Sequence, residues 1–549
     1  MPRTSMFALF PSEILHEIFQ YLTTYDTLYA FKGINQRIDT LLCNSVECDL
    51  NFKSMPKSKF DFICQSISPE QIRSLILSDD NDTVRQIHLF FRSFYIRRCV
   101  NLKLLALHHI NDQDWKKIAA KLHYLSNLTS VSLKSSNHLS PIIVESSLKS
   151  LTLGICTMNE LHEWLLCTPM LLDLEVELIG YRSTTNESFR SNPIASNIRR
   201  LKVIFPERFY TTADDLEALF VSMSKLEILT CIIKTEVNLP HGIRWDNLIE
   251  KHLSQLKDFR LKYHSNGHGS GIDDRRSSFW VYEHQWFIYK DSYERSRGEC
   301  SSENDVHLYT LPYSDEEFYL STATEQSDKT QKDAYETIKH LYLDINSVSY
   351  SHLIEYYYFP SLDSLRIYNR CVLIPLIGFI NLSQIKHVTI ERDNSINSKE
   401  FFSLILVHCI NLHSLKVSWL ALTEITQDFT DRQICSILKK QIKYLHIHNV
   451  FRKTDKSNGS PIEHLIEIFA KNLEKINLHV IYFNDVLLLL ENMSKLYSAV
   501  IEYNPTNMAI HDDDLVNWLR EKIPRLKNST YKNQVINKEQ GFLYLWIGH

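Results

Sequence analysis

Residues 102–107 read Leu102-Lys103-Leu104-Leu105-Ala106-Leu107, with apolar side chains at positions one, four and six. The same spacing, apolar-x-x-apolar-x-apolar, returns about fifteen times along the chain. It starts at Ile72, Leu102, Leu128, Leu148, Leu171, Ile198, Leu226 and Leu256, then again at Ile338, Leu362, Ile385, Leu412, Ile442, Leu473 and Leu496. Between Leu256 and Ile338 it lapses for 82 residues; elsewhere the interval is 20 to 31 residues. A fixed period of this length is the signature of a repeat architecture.

Each six-residue stretch is short enough for a strand, and the segments between carry helical periodicity. The spacing predicts helices over Asp114–Leu122, Met158–Leu166, Ala213–Met223, Trp245–Leu253, Glu400–His408, Pro461–Ala470 and Asn484–Glu491. One strand plus one helix cannot bury its apolar face alone, so neighbouring units must stack. The predicted fold class is α/β, a curved solenoid with parallel strands on the concave side and helices on the convex side.

Side chains alternate across a strand, so positions three, five and seven of each repeat face away from the stack. On the concave surface this puts Asp173, Glu175, Arg200, Lys202, Arg260, Lys262, His340, Tyr342, Arg366, Tyr368, His446 and His448. They are the candidate contacts for a bound protein, whose identity the sequence does not give.

The repeats resemble the leucine-rich-repeat family. That family's Asn or Cys, eight residues after the first leucine, appears here as Cys156, Asn346 and Asn504. Elsewhere the position holds residues such as Ile110, Pro206, Lys234 or Val450.

A second resemblance lies at the N-terminus. Phe10-Pro11-Ser12-Glu13-Ile14-Leu15, then Ile18-Phe19 and Tyr21-Leu22, is similar to the opening of an F-box. Asp26-Thr27-Leu28, Phe31, Ile34, Asn35, Arg37 and Ile38 fit its second and third helices. Pro11 suits a helix start, and Glu13 in the first turn favours the helix dipole. Thr24 or Asp26 is the expected cap of the next helix, and Gly33 its stop. The resemblance implies a three-helix unit that docks the Skp adaptor of a cullin–RING ubiquitin ligase. It places adaptor contact at Phe10, Pro11, Ile14, Leu15, Ile18, Phe19 and Leu28.

The expected organisation is an F-box at 7–46, a connecting helix or linker at 47–71 and a first repeat block at 72–265. An irregular aromatic-rich insertion at 266–334, a second repeat block at 335–504 and a C-terminal cap at 505–549 complete it. Within the insertion, Phe279–Tyr289 and Val306–Leu311 are strand candidates. Trp280, Tyr282, Trp286, Tyr289, Tyr309 and Tyr313 are there either a binding hot spot or, more simply, packed strand residues.

Composition narrows function. A net charge of −5 gives no global reason to expect nucleic acid or anionic lipid as a partner. Eleven scattered cysteines form no CxxC pair, which fits free thiols in a reducing compartment. Arg3 is followed by an apolar stretch soon broken by Ser12, Glu13, His16 and Glu17, unlike a signal peptide. A cytoplasmic or nuclear location is expected. No phosphate-binding loop, nucleophile elbow or zinc-protease motif occurs, so neither a catalytic residue nor a cofactor is expected. His446 and His448 share a strand face but lack a third ligand and a second shell, so no metal site is assigned. The expected function is the substrate-recognition subunit of a Skp–cullin–F-box ubiquitin ligase. The alternative is a leucine-rich-repeat binding scaffold with no link to ubiquitin.

Overall fold

A computed structural model of the chain describes residues 6–45, 47–141, 147–179, 197–206, 213–233, 245–266, 279, 283–286, 288–294, 304–321, 332–344, 357–368, 380–391, 399–448, 461–480, 483–507, 512–537 and 540–548. Among these residues it is a mixed α/β protein with fifteen α-helices and two sheets, both dominated by parallel pairing. The chain divides into two compact units. The first holds Met1–Leu201, Asp214–Leu226 and Gly548–His549, and the second Lys202–Ala213 and Glu227–Ile547.

The first unit opens with three short helices, α1 (Ser12–Gln20), α2 (Thr24–Phe31) and α3 (Gln36–Ser45). Pro11 directly precedes α1. Thr23, not Thr24 or Asp26, caps α2, its hydroxyl accepting the Asp26 amide at 3.1 Å. The threonine one residue earlier has the extended backbone that a cap needs. Gly33 follows at φ +83°, a left-handed conformation that glycine adopts without strain. Leu15, Phe19, Phe31, Ile38 and Leu42 form a small core of their own, with Phe10, Ile18 and Ile34 packed on it.

Then come β1 (Cys48–Asn51), α4 (Lys57–Ser66), β2 (Ile72–Ser78), β3 (Leu104–His108), β4 (Ser130–Lys134), β5 (Ser150–Cys156) and β6 (Asp173–Leu178). These strands pair in parallel in chain order. Their register sets Leu50, Leu75, Leu105, Val131, Leu151 and Leu174 abreast. These are the fourth positions of successive repeats, and all are buried. A one-residue slip would turn every one of them outward, so burial fixes the register.

The strand β7 (Arg200–Phe205) leads into the second unit. There β8 (Ile228–Ile233) pairs in parallel with β9 (Asp258–Asn266). The hairpin of β10 (Ile288–Glu294) and β11 (Asn304–Thr310) adds to β9 through antiparallel β11. The expected strand over Phe279–Tyr289 is therefore displaced to Ile288–Glu294. Trp286, Tyr309 and Tyr313 are buried, and Tyr289 packs against the core, so these aromatics pack rather than present a hot spot. Trp280 and Tyr282 lie outside the described residues.

Eight further strands run in parallel and in chain order: β12 (Glu317–Ser321), β13 (His340–Asp344), β14 (Ser364–Ile367), β15 (His387–Ile390), β16 (Ser414–Ser418), β17 (Tyr444–His448), β18 (Lys475–Val480) and β19 (Ser498–Tyr503). Of these, β14, β15, β17 and β18 alternate buried and half-buried residues. Helices at Lys399–His408, Pro461–Phe469 and Phe483–Asn492 fall within a residue of the predicted spans. Two helices the periodicity missed, Trp419–Thr426 and Arg432–Gln441, intervene between β16 and β17. At the far end the hairpin of β20 (Thr530–Asn537) and β21 (Gln540–Trp546) adds antiparallel to β19 through β21.

Both β1 and β12 lie outside the run of recognised repeats. In register the first position of β12 is Asp315, an acid where the recognised repeats have an apolar residue, while in β1 the buried Cys48 stands opposite Ile72 and a register shift follows it. Arg73 reaches Glu47 at 3.2 Å, and Lys262 reaches Asp315 at 2.5 Å.

Candidate functional site

Two surfaces carry the candidate residues. The first is α1. Residues four apart share a helix face, so α1 has two adjacent apolar stripes. Leu15 and Phe19 point into the three-helix core; Leu15 is fully buried. Ile14 is 47% exposed, with Tyr21 at 86% and Leu9 at 77% beyond the helix ends. Ile18 and Phe10 are half-buried and packed against the three-helix core, and Pro11 is exposed. Of the seven residues expected to touch an adaptor, Pro11 and Ile14 are open, Phe10 and Ile18 are partly open, and Leu15, Phe19 and Leu28 are buried. A helix stripe cannot serve a core and a partner with the same side chains, and here the core takes the inner row. Leu9, Tyr21 and Leu22, outside the helix, are exposed as well.

The second surface is the half-buried face of the strands. In the first unit, Asp173 is held by two hydrogen bonds from Arg200, one of them at 2.7 Å, and Glu175 stands 3.6 Å from Lys134. These charges satisfy one another and are largely solvated, so they contribute little to stability.

In the second unit the strand face is denser. Register sets Tyr319, Tyr342, Arg366, Thr389, Lys416, His446 and Asn477 in one row across β12–β18. The Tyr319 and Tyr342 rings stack at 4.3 Å, and Tyr368 continues the stack at 6.2 Å from Tyr342. Over it lies the Arg366 guanidinium, 5.4 Å from the Tyr342 ring and 5.2 Å from that of Tyr368. Glu391 holds Arg366 at 2.5 Å and Lys416 at 3.2 Å. Burial alone would raise the Glu391 carboxyl, but these two cations outweigh it and keep it below its ordinary range. Burial raises the Tyr368 hydroxyl to about 12. It also pushes His446 down to about 4, aided by Lys416 and His448, so this imidazole is neutral at pH 7. The His446 and His448 rings lie 6.3 Å apart.

Lys202 and His340 line a cleft of about 560 Å³ with Asp315, Glu316, Glu317, Glu336 and Lys339. Lys262, expected on the open face, is buried instead. Its ammonium donates to the Asp315 carboxylate at 2.5 Å and to the Glu317 carbonyl at 3.0 Å. Burial works against the Asp315 charge, but the adjacent Lys262 ammonium prevails and lowers that carboxyl. Arg260 is paired along its own strand with Asp258 at 2.7 Å.

Sequence reasoning therefore found Tyr342, Arg366, Tyr368 and His446 but not Tyr319, Glu391 or Lys416. Glu391 and Lys416 occupy positions seven and five of their repeats, so the rule that chose the others also reaches them. Tyr319 sits in the strand that Asp315 concealed.

No set of three His, Cys, Asp or Glu is placed to hold a metal among the described residues. Burial raises the Cys48, Cys64 and Cys409 thiols to about 12 and Cys99 to about 11, which keeps them protonated and poorly nucleophilic. No described helix is long and apolar enough to cross a membrane. The sequence matches no protein-family model and no curated protein.

Proposed function

We propose that this chain is the substrate-recognition subunit of a Skp–cullin–F-box ubiquitin ligase, a non-catalytic receptor acting in the cytoplasm or nucleus. One observation carries the reading. A three-helix segment with its own core leaves the apolar side chains Leu9, Ile14, Tyr21 and Leu22 exposed, directly before a long series of parallel strand–helix units. An exposed apolar row of this kind marks a surface that a partner covers. In this reading the open row of α1 meets the Skp adaptor, and through it the cullin–RING partner. The strand–helix series is a curved leucine-rich-repeat solenoid whose strand face holds the protein to be ubiquitinated. Tethering raises the effective concentration of that protein near the catalytic subunits, and no chemistry is required of the receptor.

The test is co-purification of the full chain with the Skp adaptor and cullin. Wild-type chain is expected to bring down both, and Ile14→Asp neither. Failure of the wild-type chain to bind removes the ubiquitin link and leaves a protein-binding scaffold.

A further inference from the structure

On the strand face of the second unit, the ion pairs at β14–β16 do not balance. Elsewhere in that unit Arg260 with Asp258, Lys339 with Glu316 and Lys443 with Glu474 each match one cation to one acid. Here two cations share one acid. Arg366 on β14 holds Glu391 Oε1 at 2.5 Å, and Lys416 on β16 reaches the same oxygen from the opposite flank at 3.2 Å. One positive charge is left over, on a chain whose net charge is −5. The side chains of Arg366, Lys416 and Glu391 are 34%, 32% and 20% exposed. That charge is therefore within a ligand's reach yet screened less than one fully in water.

The neighbours of this triad are hydrogen-bond donors. After Arg366 the row runs Thr389, Lys416, His446 and Asn477, each opposite the next across adjacent strands. Thr389 offers a hydroxyl, and the neutral His446 imidazole one N–H. The Lys416 ammonium has three N–H groups, and its contact with Glu391 uses one of them. Adjacent strands stand about 4.8 Å apart, so Thr389 to His446 spans roughly 10 Å, room for one side chain and its backbone. The Tyr342 and Tyr368 rings already fix the Arg366 guanidinium, so this cation is placed before any ligand arrives.

Charge and chemistry select the ligand. A cation would meet Arg366 and Lys416. An apolar segment would cover the Lys416 ammonium and the Thr389 hydroxyl without giving them acceptors. A polyanion needs a basic tract, and the excess here is a single charge.

We propose that this patch takes one acidic side chain, a carboxylate or a phosphate, from an extended segment of the bound protein. Its oxygens accept from the Lys416 ammonium and the Thr389 hydroxyl, and the fixed Arg366 guanidinium adds attraction. Glu391 is a built-in competitor that the incoming acid must match. The inference deepens the receptor reading and rests on it for the owner of the segment.

The test titrates the full chain, without adaptor, with four blocked pentapeptides of sequence Gly-Ser-X-Ser-Gly, where X is glutamate, phosphoserine, glutamine or arginine. The wild-type chain is expected to bind the glutamate or the phosphoserine peptide at least about tenfold more tightly than the glutamine peptide. Whichever of the two binds more tightly names the anion. Lys416→Met is expected to bring that peptide to the glutamine level, and Thr389→Val to weaken it by a few-fold. Glu391→Gln is expected to do the opposite and tighten it by a few-fold, a gain that loss of folding cannot imitate. Equal binding of acidic and glutamine peptides, no saturation by either acidic peptide, or a preference for arginine overturns the proposal. Weaker acid binding by a Glu391→Gln chain with an unchanged thermal melt overturns it too. Because the adaptor is absent, none of these outcomes depends on α1. Lost acid preference beside intact adaptor binding strikes this inference alone, and failed adaptor binding beside acid preference strikes the ubiquitin link alone.

Discussion

The N-terminal helices and the strand–helix units use apolar residues in opposite ways. In β13–β18 the patterned residues Leu341, Leu365, Val388, Leu415, Leu445 and Ile476 are all essentially buried. In α1 only the inner row is buried, and the outer row stays open. The difference reflects size. A three-helix segment of some thirty-five residues encloses too little volume to cover both rows, whereas stacked units share one continuous core. In the proposed receptor, recognition would fall to polar residues between the leucines in the units and to the apolar residues themselves in α1.

Substitutions test this contrast, the largest effect first. Leu365→Ala, at the centre of the second unit's core, is expected to cost about 2–5 kcal/mol and to lower the melting temperature clearly in calorimetry. If the loss is under about 1 kcal/mol, the units are not sharing one packed core. Lys262→Ala strips the partner from the nearly buried Asp315 and is expected to cost about 3 kcal/mol. Its pH signature is distinctive. The folded Asp315 carboxyl is depressed, so its contribution is present above the ordinary carboxylate range and is lost as pH falls through it. That acid dependence should shrink in the variant, as measured by denaturant melts from pH 5 to 2.

Much of this was legible in the sequence, because position four and six leucines must be buried whatever the rest of the repeat contains. The strands from β2 to β9 and from β13 to β19 follow from that alone. The strand β12 was hidden because Asp315 replaces the first apolar residue and its partner Lys262 is distant in sequence, and β1 because the register shift after Cys48 breaks the six-residue spacing. Strand direction was hidden for another reason. Alternation looks the same in parallel and antiparallel strands, so the antiparallel pairing of the hairpins that end each sheet, β10–β11 and β20–β21, was not legible. At α1 the sequence showed one wide apolar stripe. Which half faced inward depended on Phe31, Ile38 and Leu42 in the other helices.

A smaller effect concerns histidine. His446, held near 4 when folded against an ordinary value near 6.5, binds fewer protons folded than unfolded between those values. Stability is therefore intact above about pH 6.5 and declines as pH falls toward 4, by roughly 1–2 kcal/mol after allowance for its partial solvation. His446→Gln should flatten that slope; an unchanged slope would show that the imidazole protonates freely on the strand face. Smallest of all, Arg200→Ala removes a solvated ion pair and is expected to change stability by about 0–1 kcal/mol in the same melts.

The most direct measurement is a titration of purified Skp adaptor into the wild-type chain, Ile14→Asp and Leu15→Ala, with a thermal melt of each. The account expects saturable binding by the wild-type chain. Ile14→Asp should lose that binding at an unchanged melting temperature, and Leu15→Ala should lose it only as its helices loosen. No binding by the wild-type chain, or full binding by Ile14→Asp, would contradict the claim that the open row of α1 is the adaptor surface.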